Sequence, residues 1–472
     1  MKKGTRETGK LRPPIVVVLG HVDHGKTTLL DKIRKTNATA REPGGITQGI
    51  SASSITTKQG KTITFIDTPG HAAFAKMRSR GAKLSDLAIL VVAADDGVKP
   101  QTEEALSYIK EIKIPFIVAA NKVDLQTSNV KKVKSQLEKA GVAFEGSGGD
   151  TPLISVSAKT GKGLDELLEM ITLVSEVIGI EGDPEGKIKG AIVETGKDKR
   201  GPLATVVIRN GTLKVGDEIF SEGIKCRVKR IFENEGGKHQ EINPGEAGLV
   251  LGFSKTPPVG ASVVSKSKEF SEKAAVVKKR TIKKIEEGEI PIVIKAENTG
   301  SLEAVISNLP KGIVAIGSGV GDVNESDIFL AKSAEDSRIF VFKAKATASV
   351  LKLAESDGVK IEMFDVIYDF IQRLEKLLKK GEEKVLGKAE ILASFPYNDK
   401  RVAGSKVTEG RIAKGDLIAL VRKDREIGKT KAVSLKKEKK DISVAKKDEE
   451  FGIILGPQLD FKIGDVIRSV SK

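Results

Sequence analysis

The sequence predicts a multidomain chain that combines α/β and β architecture. Up to residue 178, short apolar runs alternate with helical patterns, which is typical of a doubly wound, mainly parallel sheet. Residues 187–267 form short alternating segments split by Gly, Pro and Asn, as in a β-barrel. A compact α/β layer at 289–363, an amphipathic helix at 365–380 and a second β-rich stretch at 388–470 follow.

The first α/β region is defined by five apolar runs, each short enough to be a buried strand. These predicted strands are 15–19, 63–66, 88–93, 115–120 and 153–156. The predicted helices are 27–34, 72–84, 101–110, 130–140 and 165–178.

The second α/β region follows a charged segment, 270–287, which is predicted to be a helical connector. Its predicted strands are 291–296, 313–316, 339–342 and 359–363, and its predicted helices are 302–309, 324–332 and 347–355. The helix at 365–380 has one apolar stripe, and Asp365 is its predicted N-cap.

The two β-rich stretches share a pattern. Residues 211–219 match 410–418 in the spacing of Gly, Asp and apolar residues, and 463–467 resembles the second half of both. Common hairpin turn chemistry would explain this similarity, and so would two barrels of one type. We favour two barrels.

Composition limits the function classes. The net charge of +16 on 472 residues indicates a polyanionic partner, with nucleic acid ahead of membrane, although a lysine-rich solubilising surface is the alternative. Aromatic residues make up only 4%, so shape and phosphate contacts are favoured over base stacking. Cys226 is the single cysteine, which fits a reducing cytoplasm. No apolar run is long enough to span a membrane.

A complete G-x-x-x-x-G-K-[ST] loop follows the first predicted strand and opens a helix, which is the context this phosphate-binding motif requires. The loop and the next residue are Gly20, His21, Val22, Asp23, His24, Gly25, Lys26, Thr27 and Thr28. Its backbone N–H groups would wrap the phosphates. Lys26 would reach the β- and γ-phosphates, and the Thr27 hydroxyl would bind Mg²⁺.

A second motif follows the predicted strand 63–66. It comprises Asp67, Thr68, Pro69, Gly70 and His71. Asp67 at a strand end suits a Mg²⁺ ligand acting through water. Gly70 can donate its N–H to the γ-phosphate, and His71 is predicted to orient the attacking water. Lys26, Gly70 and His71 are therefore the predicted catalytic residues.

Two further motifs follow strands and predict a base pocket. They comprise Asn121, Lys122 and Asp124, and then Ser157, Ala158 and Lys159. The Asp124 carboxylate can accept two hydrogen bonds from guanine, whereas adenine offers no such pair of donors. In this order, the four motifs predict a site for GTP or GDP with Mg²⁺.

These motifs resemble those of bacterial translation initiation factor two. The resemblance covers nearly the whole chain from residue 13, and the matching segments are 20–28, 44–48, 67–74, 91–97, 100–102, 200–202, 316–321 and 407–410. The implied domains are a basic tail (1–12), a P-loop GTPase domain (13–180), a β-barrel (181–268), a helical connector (269–288), a small α/β/α domain (289–364), a long connecting helix (365–384) and a C-terminal β-barrel (385–472).

The resemblance also implies a function. Proteins of this family bind initiator formylmethionyl-tRNA, promote its placement on the small ribosomal subunit and joining of the large subunit, and are released after GTP hydrolysis. The implied partners are both subunits, ribosomal RNA and initiator tRNA, and we expect a cytoplasmic protein that is monomeric in solution. By motif match, Thr47 is the switch threonine that binds Mg²⁺, while Val22 and Ile46 form an apolar gate near His71.

The chain departs from the family pattern at three places. About a dozen residues precede the GTPase domain, where a long extension is common, and Gly49 stands where a histidine is usual. Two family cysteines of the C-terminal barrel are replaced by Ser405 and Phe451. The predicted tRNA-binding residues are Ser405, Lys436, Lys437, Glu450, Phe451 and Gly452.

Two alternatives remain open at this point. One is an elongation-type GTPase that delivers aminoacyl-tRNA, which the α/β region followed by the helix at 365–380 disfavours. The other is a ribosome-binding factor that holds GTP without efficient turnover, which the intact Thr47, Gly70 and His71 disfavour.

Overall fold

A computed structural model describes residues 10–36, 42, 46–233, 237–265, 288–334, 337–381, 385–397, 400–422, 425–438 and 440–470. Residues 269–287 of the predicted connector and residues 1–9 of the predicted tail lie outside these ranges. The chain divides into two compact units, Met1–Leu374 and Glu375–Lys472. Among the described residues, no helix is both long and apolar enough to cross a membrane.

The first α/β region forms a six-stranded sheet with helices between its strands. Its elements are β1 (Ile15–Gly20), α1 (Lys26–Arg34), β2 (Ser51–Thr56), β3 (Thr62–Asp67), α2 (Ala75–Lys83), β4 (Leu87–Ala93), α3 (Pro100–Ile112), β5 (Phe116–Asn121), α4 (Val130–Lys139), β6 (Leu153–Ser155) and α5 (Leu164–Ile178). The strand order is β2-β3-β1-β4-β5-β6. Every residue of β1 and β4 is buried, which explains their continuous apolar runs. All ten predicted strands and helices of this region are confirmed within a few residues.

Strand β2 was not predicted from the sequence. It carries Ser-Ala-Ser-Ser-Ile-Thr, which has neither an apolar run nor a clear alternation. It pairs antiparallel with β3 along its whole length, from Ser51 opposite Asp67 to Thr56 opposite Thr62. The exposed edge of β3 therefore recruits a segment whose own β-propensity is weak.

The first β-rich stretch closes into a barrel. Its strands are β7 (Lys189–Asp198), β8 (Gly201–Asn210), β9 (Leu213–Lys214), β10 (Glu218–Ser221), β11 (Ile224–Phe232), β12 (Lys238–His239), β13 (Glu241–Ile242), β14 (Ala247–Phe253) and β15 (Ser262–Ser265). Six of them pair in the order β10-β15-β7-β8-β14-β11, and a further pairing of β11 with β10 closes the ring.

The second α/β region is a four-stranded parallel sheet followed by a long helix. Its elements are β16 (Ile290–Ala296), α6 (Thr299–Ser307), β17 (Ile313–Val320), α7 (Glu325–Lys332), β18 (Arg338–Phe342), α8 (Ala348–Ser356), β19 (Lys360–Phe364) and α9 (Ile367–Gly381). The strand order is β17-β16-β18-β19. The four strands and three helices predicted here are confirmed, although β17 extends four residues further.

The start of α9 corrects one prediction. The first helical hydrogen bond joins the Phe370 N–H to the Val366 carbonyl at 3.2 Å, so Val366 and not Asp365 is the N-cap residue. Valine has no side-chain acceptor for the free N–H groups of the first turn. The Gln48 side chain supplies one instead, because its Oε1 accepts the Ile367 N–H at 3.0 Å.

The second compact unit contains the other barrel. Its strands are β20 (Val385–Tyr397), β21 (Lys400–Ala413), β22 (Leu417–Arg422), β23 (Arg425–Lys437), β24 (Lys440–Ile442), β25 (Val444–Lys446), β26 (Glu450–Gly456) and β27 (Val466–Val470). The order β20-β27-β22-β23-β26-β21 closes through a pairing of β21 with β20.

The two barrels have the same topology. When the six strands of each ring are numbered along the chain, both rings follow the order one, two, five, four, three, six. The prediction of two barrels of one type is therefore confirmed. Hairpin turn chemistry alone would not reproduce the order of all six strands.

Candidate nucleotide-binding site

The phosphate loop joins the end of β1 to the start of α1. Its two glycines have positive φ angles, 147° at Gly20 and 83° at Gly25. A Cβ atom on Gly20 would lie 2.3 Å from the Val91 carbonyl oxygen, and one on Gly25 would lie 2.5 Å from Nδ2 of Asn121. Both the backbone conformation and the available space therefore require glycine at these positions.

Lys26 lies at the base of this loop and is only 5% exposed. Its Nζ donates to the His21 carbonyl at 2.7 Å, and burial lowers the pKa of Lys26 to about 8. Gly70 packs against it, because a Cβ atom there would lie 2.5 Å from that Nζ. The second motif thus approaches the phosphate loop so closely that a side chain at position 70 would clash with it.

A cavity of 240 Å³ lies between the loop and the second motif. Its lining combines residues from the predicted catalytic, phosphate and switch sets. They are Val22, Asp23, Gly25, Lys26, Thr27, Thr28, Ile46, Thr47, Gly70, His71 and Lys122. Val22, Ile46 and His71 are brought together at this cavity, which is the arrangement expected of an apolar gate beside the histidine.

Three oxygen-bearing side chains are the candidates for holding Mg²⁺. The Thr27 and Thr47 hydroxyls are in direct contact, although the residues are 20 positions apart. Asp67 is 2% exposed, and its Oδ1 has no hydrogen-bond partner among the described residues. Burial raises the pKa of Asp67 to about 6. Hydroxyl and carboxylate oxygens are the donors that Mg²⁺ prefers, so this set fits the ion.

His71 lies at the start of a short 3₁₀ turn, Ala72–Phe74, that leads into α2. Its Nδ1 accepts the Ala73 N–H at 3.0 Å. Burial, and secondly the Arg78 guanidinium, lower the pKa of His71, which favours the neutral ring. With Nδ1 acting as acceptor, the neutral ring carries its proton on Nε2.

The base end of the site is built around Asn121 at the end of β5. Its Nδ2 donates to the His24 carbonyl at 2.9 Å, and its Oδ1 accepts the Ala158 N–H at 3.0 Å. Asn121 therefore ties the phosphate loop to the 157–159 loop. The Ser157 hydroxyl donates to Oδ1 of Asp124 at 2.7 Å and is the main cause of the lowered pKa of Asp124.

The other predicted residues have supporting positions. The Thr68 hydroxyl donates to the Val18 carbonyl at 2.8 Å, which fixes the start of the second motif against β1. Lys122 adopts a positive φ of 64° and lines the cavity, whereas Lys159 is not one of the described residues that line it. His24 is 1% exposed, and burial lowers the pKa of its ring to about 4, which favours the neutral ring.

Comparison with known proteins supports the interpretation of these motifs. Residues 12–176 match the family model described as Elongation factor Tu GTP binding domain, residues 187–266 match Elongation factor G domain 2, and residues 265–375 match Translation-initiation factor 2. Translation initiation factor IF-2 of Caldanaerobacter subterraneus subsp. tengcongensis is 40% identical over 98% of this chain and 70% of its own length. The chain belongs to the translation initiation factor IF-2 family.

Other IF-2 proteins are similar over the same extent of this chain. Those of Persephonella marina and Nitratiruptor sp. are 42% and 40% identical over 97% of it. The chain covers 56% and 58% of their respective lengths, so it spans somewhat more than half of these relatives. A crystal structure of GDP-bound aIF5B from Aeropyrum pernix is 27% identical, with 98% of this chain and 92% of that chain covered and a TM-score of 0.47.

Two residues important to the site were missed by the sequence analysis. Gln101 lies in the Pro-Gln-Thr segment that resembles the IF-2 pattern, and its Oε1 accepts the Val22 N–H of the phosphate loop at 3.0 Å. Tyr368, at the start of α9, packs edge-to-face on the His71 ring with centroids 4.4 Å apart. Only the IF-2 motif could have pointed to Gln101, and no local pattern points to Tyr368.

The residues at which the chain departs from the IF-2 pattern occupy defined positions. Ser405 on β21 lies directly opposite Phe451 on β26, so the two replaced cysteine positions are cross-strand partners. Phe451 is 4% exposed and packs in the core of the C-terminal barrel, and Ser405 is 2% exposed. A Cβ atom on Gly49 would lie 3.9 Å from Nδ2 of Asn298, the N-cap residue of α6.

The predicted tRNA-binding residues surround this pair. Gly452 is the cross-strand partner of both Gly404 and Lys436. The neighbouring Lys437 is half-buried and its Nζ donates to Glu449 at 2.9 Å, while Glu450 is exposed. The set thus combines a buried pair of side chains with half-buried lysines and an exposed glutamate on β23 and β26.

Proposed function

We propose that this chain binds GTP with Mg²⁺ and hydrolyses it to GDP and phosphate as a ribosome-dependent initiation factor. The observation that carries the proposal is the convergence of Lys26, Thr27, Thr47, Gly70 and His71 on one cavity. These five residues come from three separate segments. Each is a residue type that can serve the transfer of a phosphoryl group to water at its position.

In the proposed reaction, water attacks the γ-phosphorus, a new P–O bond forms, and the bond to the β-phosphate oxygen breaks. Mg²⁺, held by Thr27 and Thr47 and through water by Asp67, would neutralise charge on the phosphate oxygens. Lys26 donates to the β- and γ-phosphates from its buried position, where an ammonium group interacts strongly with an anion. The Gly70 N–H donates to the γ-phosphate.

The protonation of His71 limits its role. Because Nδ1 accepts the Ala73 N–H, the neutral ring acts at Nε2 as a hydrogen-bond donor and not as a base. The ring therefore positions the nucleophile. To accept a proton at Nε2, it would first have to carry its own proton on Nδ1, and the hydrogen bond from the Ala73 N–H would then be lost. Residues 20–28 and 67–74 contain no arginine, so we expect slow intrinsic hydrolysis that the ribosome stimulates.

Phosphate release measured with and without ribosomes tests this proposal. A ribosome-dependent increase in multiple turnover is the expected result. Nucleotide binding without any increase would favour the rival function, in which the chain holds GTP without efficient turnover. The contact between the Thr27 and Thr47 hydroxyls argues against that rival, because a factor that only holds nucleotide has no need of a switch threonine at the metal.

An elongation-type factor is the second rival. The region β16–β19 followed by α9 argues against it, since residues 265–375 match the Translation-initiation factor 2 family. We infer that the C-terminal barrel engages the formylmethionyl end of initiator tRNA. Filter binding of formylated and unformylated initiator tRNA would separate the two functions, because an elongation factor should not prefer the formylated form.

The charge of the C-terminal barrel supports tRNA binding. Residues 422–447 contain eleven Lys or Arg and four Asp or Glu. We propose that this face follows the phosphates of the tRNA acceptor end, as part of a particle that also contains both ribosomal subunits and ribosomal RNA. Phosphate contacts release counterions, so binding should weaken steeply as salt increases.

Charge reversal of Lys436 and Lys437 is expected to weaken the binding of formylated and unformylated tRNA alike. It should also reduce the slope of log affinity against log salt concentration by about one per lost phosphate contact. Phe451→Cys is expected mainly to alter the ratio between the two tRNAs. Because Phe451 is buried, its variant must first be shown to unfold at a temperature close to that of the original protein. Unchanged affinity and salt slope in the lysine variants would exclude this face as the tRNA site.

Nucleotide state should also change the segment 41–51. Thr47 is expected to be ordered by GTP and Mg²⁺ and released with GDP. Hydrogen exchange of this segment should therefore be slower with a non-hydrolysable GTP analogue than with GDP. Exchange of α5, which does not line the nucleotide cavity, serves as the internal control. Equal rates in both states would mean that 41–51 is not the switch.

A further inference from the structure

Arg78 on α2 is fully buried, with 0% of its surface exposed. By volume, it is the largest fully buried side chain among the described residues. A guanidinium group loses several kcal/mol of hydration when it is buried, and hydrogen bonds and ion pairs must offset that loss. Burial of an arginine among apolar side chains alone would therefore be strongly unfavourable. In Arg78 the two terminal nitrogens make these contacts, whereas Nε has no partner among the described residues.

The contacts of Arg78 concentrate on the second motif. Its Nη1 donates to the carbonyl oxygens of Pro69 and Gly70, each at 3.2 Å, and also to that of His71. Three consecutive carbonyls of the turn therefore face one guanidinium nitrogen. These are the residues proposed to meet the terminal phosphate and the attacking water.

The other side of the guanidinium is anchored on α3. Nη2 donates to Oε2 of Glu104 at 2.7 Å, and Oε1 of Glu104 accepts the Tyr108 hydroxyl at 2.6 Å. Burial, and secondly the Glu104 carboxylate, raise the pKa of Tyr108 to about 12, so its hydroxyl remains a donor at neutral pH. The chain of contacts therefore runs from Tyr108 through Glu104 and Arg78 to the turn.

Peptide geometry converts these contacts into a direction for the catalytic groups. In a planar trans peptide, the C=O of one residue and the N–H of the next point in opposite directions. Because Arg78 holds the Pro69 and Gly70 carbonyls, it turns the N–H groups of Gly70 and His71 to the opposite side. Lys26 Nζ lies against Gly70, which places the turn next to the part of the site where Lys26 would contact phosphate.

We propose that Arg78, fixed by Glu104 and Tyr108, is a positioning residue that aims the Gly70 N–H and the His71 ring at the terminal phosphate. This inference rests on the proposed GTP hydrolysis. It also assigns a role to Arg78 other than that of an arginine finger, because the contacts of both its terminal nitrogens are to protein groups. Glu104 and Tyr108 act through Arg78 and are positioning residues as well.

The test compares Arg78→Lys, Glu104→Gln and Tyr108→Phe. Lysine keeps the charge, but its single ammonium cannot serve three carbonyls and a carboxylate in the same planar geometry. For Arg78→Lys we expect ribosome-stimulated kcat to fall by roughly 10–10²-fold, the size of effect that a misplacement of about 1 Å can produce. Glu104→Gln should have a smaller effect, and Tyr108→Phe the smallest.

Affinity for a fluorescent GDP analogue separates positioning from folding. The turn faces the terminal phosphate, so GDP affinity should change by no more than about twofold, whereas a GTP analogue should bind more weakly. Turnover is expressed per GDP-binding site, so any unfolded fraction does not contribute. Arg80→Lys is the matched control, because Arg80 lies on the same helix, pairs with Glu303 at 2.7 Å and should leave turnover unchanged.

Turnover per GDP site equal to that of the original protein in both Arg78→Lys and Glu104→Gln would overturn the inference. So would an equal loss of GDP and GTP affinity, since that would indicate a structural role alone. If the original protein shows no stimulated turnover, the proposed function fails instead. In that case, a selective loss of GTP-analogue affinity in Arg78→Lys would still support the role of Arg78 in orienting the turn.

Discussion

Replacing His71 with alanine is expected to preserve GTP binding and to abolish most ribosome-stimulated hydrolysis. The ring lines the nucleotide cavity and is held by the Ala73 N–H, so it is already oriented before the ribosome binds. Loss of a group that places the nucleophile should lower kcat by roughly 10²-fold or more, equivalent to about 2.7 kcal/mol of barrier. Multiple-turnover phosphate release with ribosomes measures this effect.

His239→Ala provides a matched control for that measurement. His239 is an exposed histidine of β12 that contacts Glu233, and it is absent from the nucleotide cavity. Its removal should leave both GTP binding and turnover unchanged. Near-normal multiple turnover in His71→Ala would rule out the proposed role of the histidine, because no other imidazole lies beside Gly70 in the second motif.

Replacing Asp124 with asparagine is expected to change the base preference of the site. The carboxylate is held by the Ser157 hydroxyl at 2.7 Å and would accept two hydrogen bonds from guanine. Hydrogen bonds that involve a charged group contribute ~1.5–3 kcal/mol each, so GTP affinity should fall by at least about tenfold. Asparagine offers an N–H donor, and binding of xanthosine triphosphate, whose ring presents the complementary acceptor, should improve.

Competition binding of GTP and xanthosine triphosphate measures this exchange of preference. Asp165→Asn is a suitable control, because that carboxylate is exposed on α5 and pairs with Lys58 on the surface. It should bind both nucleotides as the original protein does. An unchanged guanine preference in Asp124→Asn would show that another group reads the base.

The sequence by itself determined most of the first α/β region and the composition of its site. Strands such as β1 and β4 are buried on both faces, so their continuous apolar runs are visible without any knowledge of their partners. The phosphate loop requires glycine because of its own backbone conformation, as the φ values of Gly20 and Gly25 show. Features of this kind depend on residues close together in the chain.

The tertiary structure alone decided the features that depend on distant residues. Strand β2 exists because the edge of β3 offers hydrogen bonds, and the start of α9 is capped by Gln48, which lies 319 positions before Ile367. Likewise, only the strand register places Ser405 opposite Phe451.

Arg78 is the clearest example of this difference. In the sequence it is one basic residue of a helix that also carries Lys76, Arg80 and Lys83, and nothing local separates it from the others. Folding buries it completely and surrounds it with three carbonyls from the preceding turn and a carboxylate from α3. Local patterns record the periodicity of burial, whereas the partner of a buried charge is fixed only when separate elements pack together.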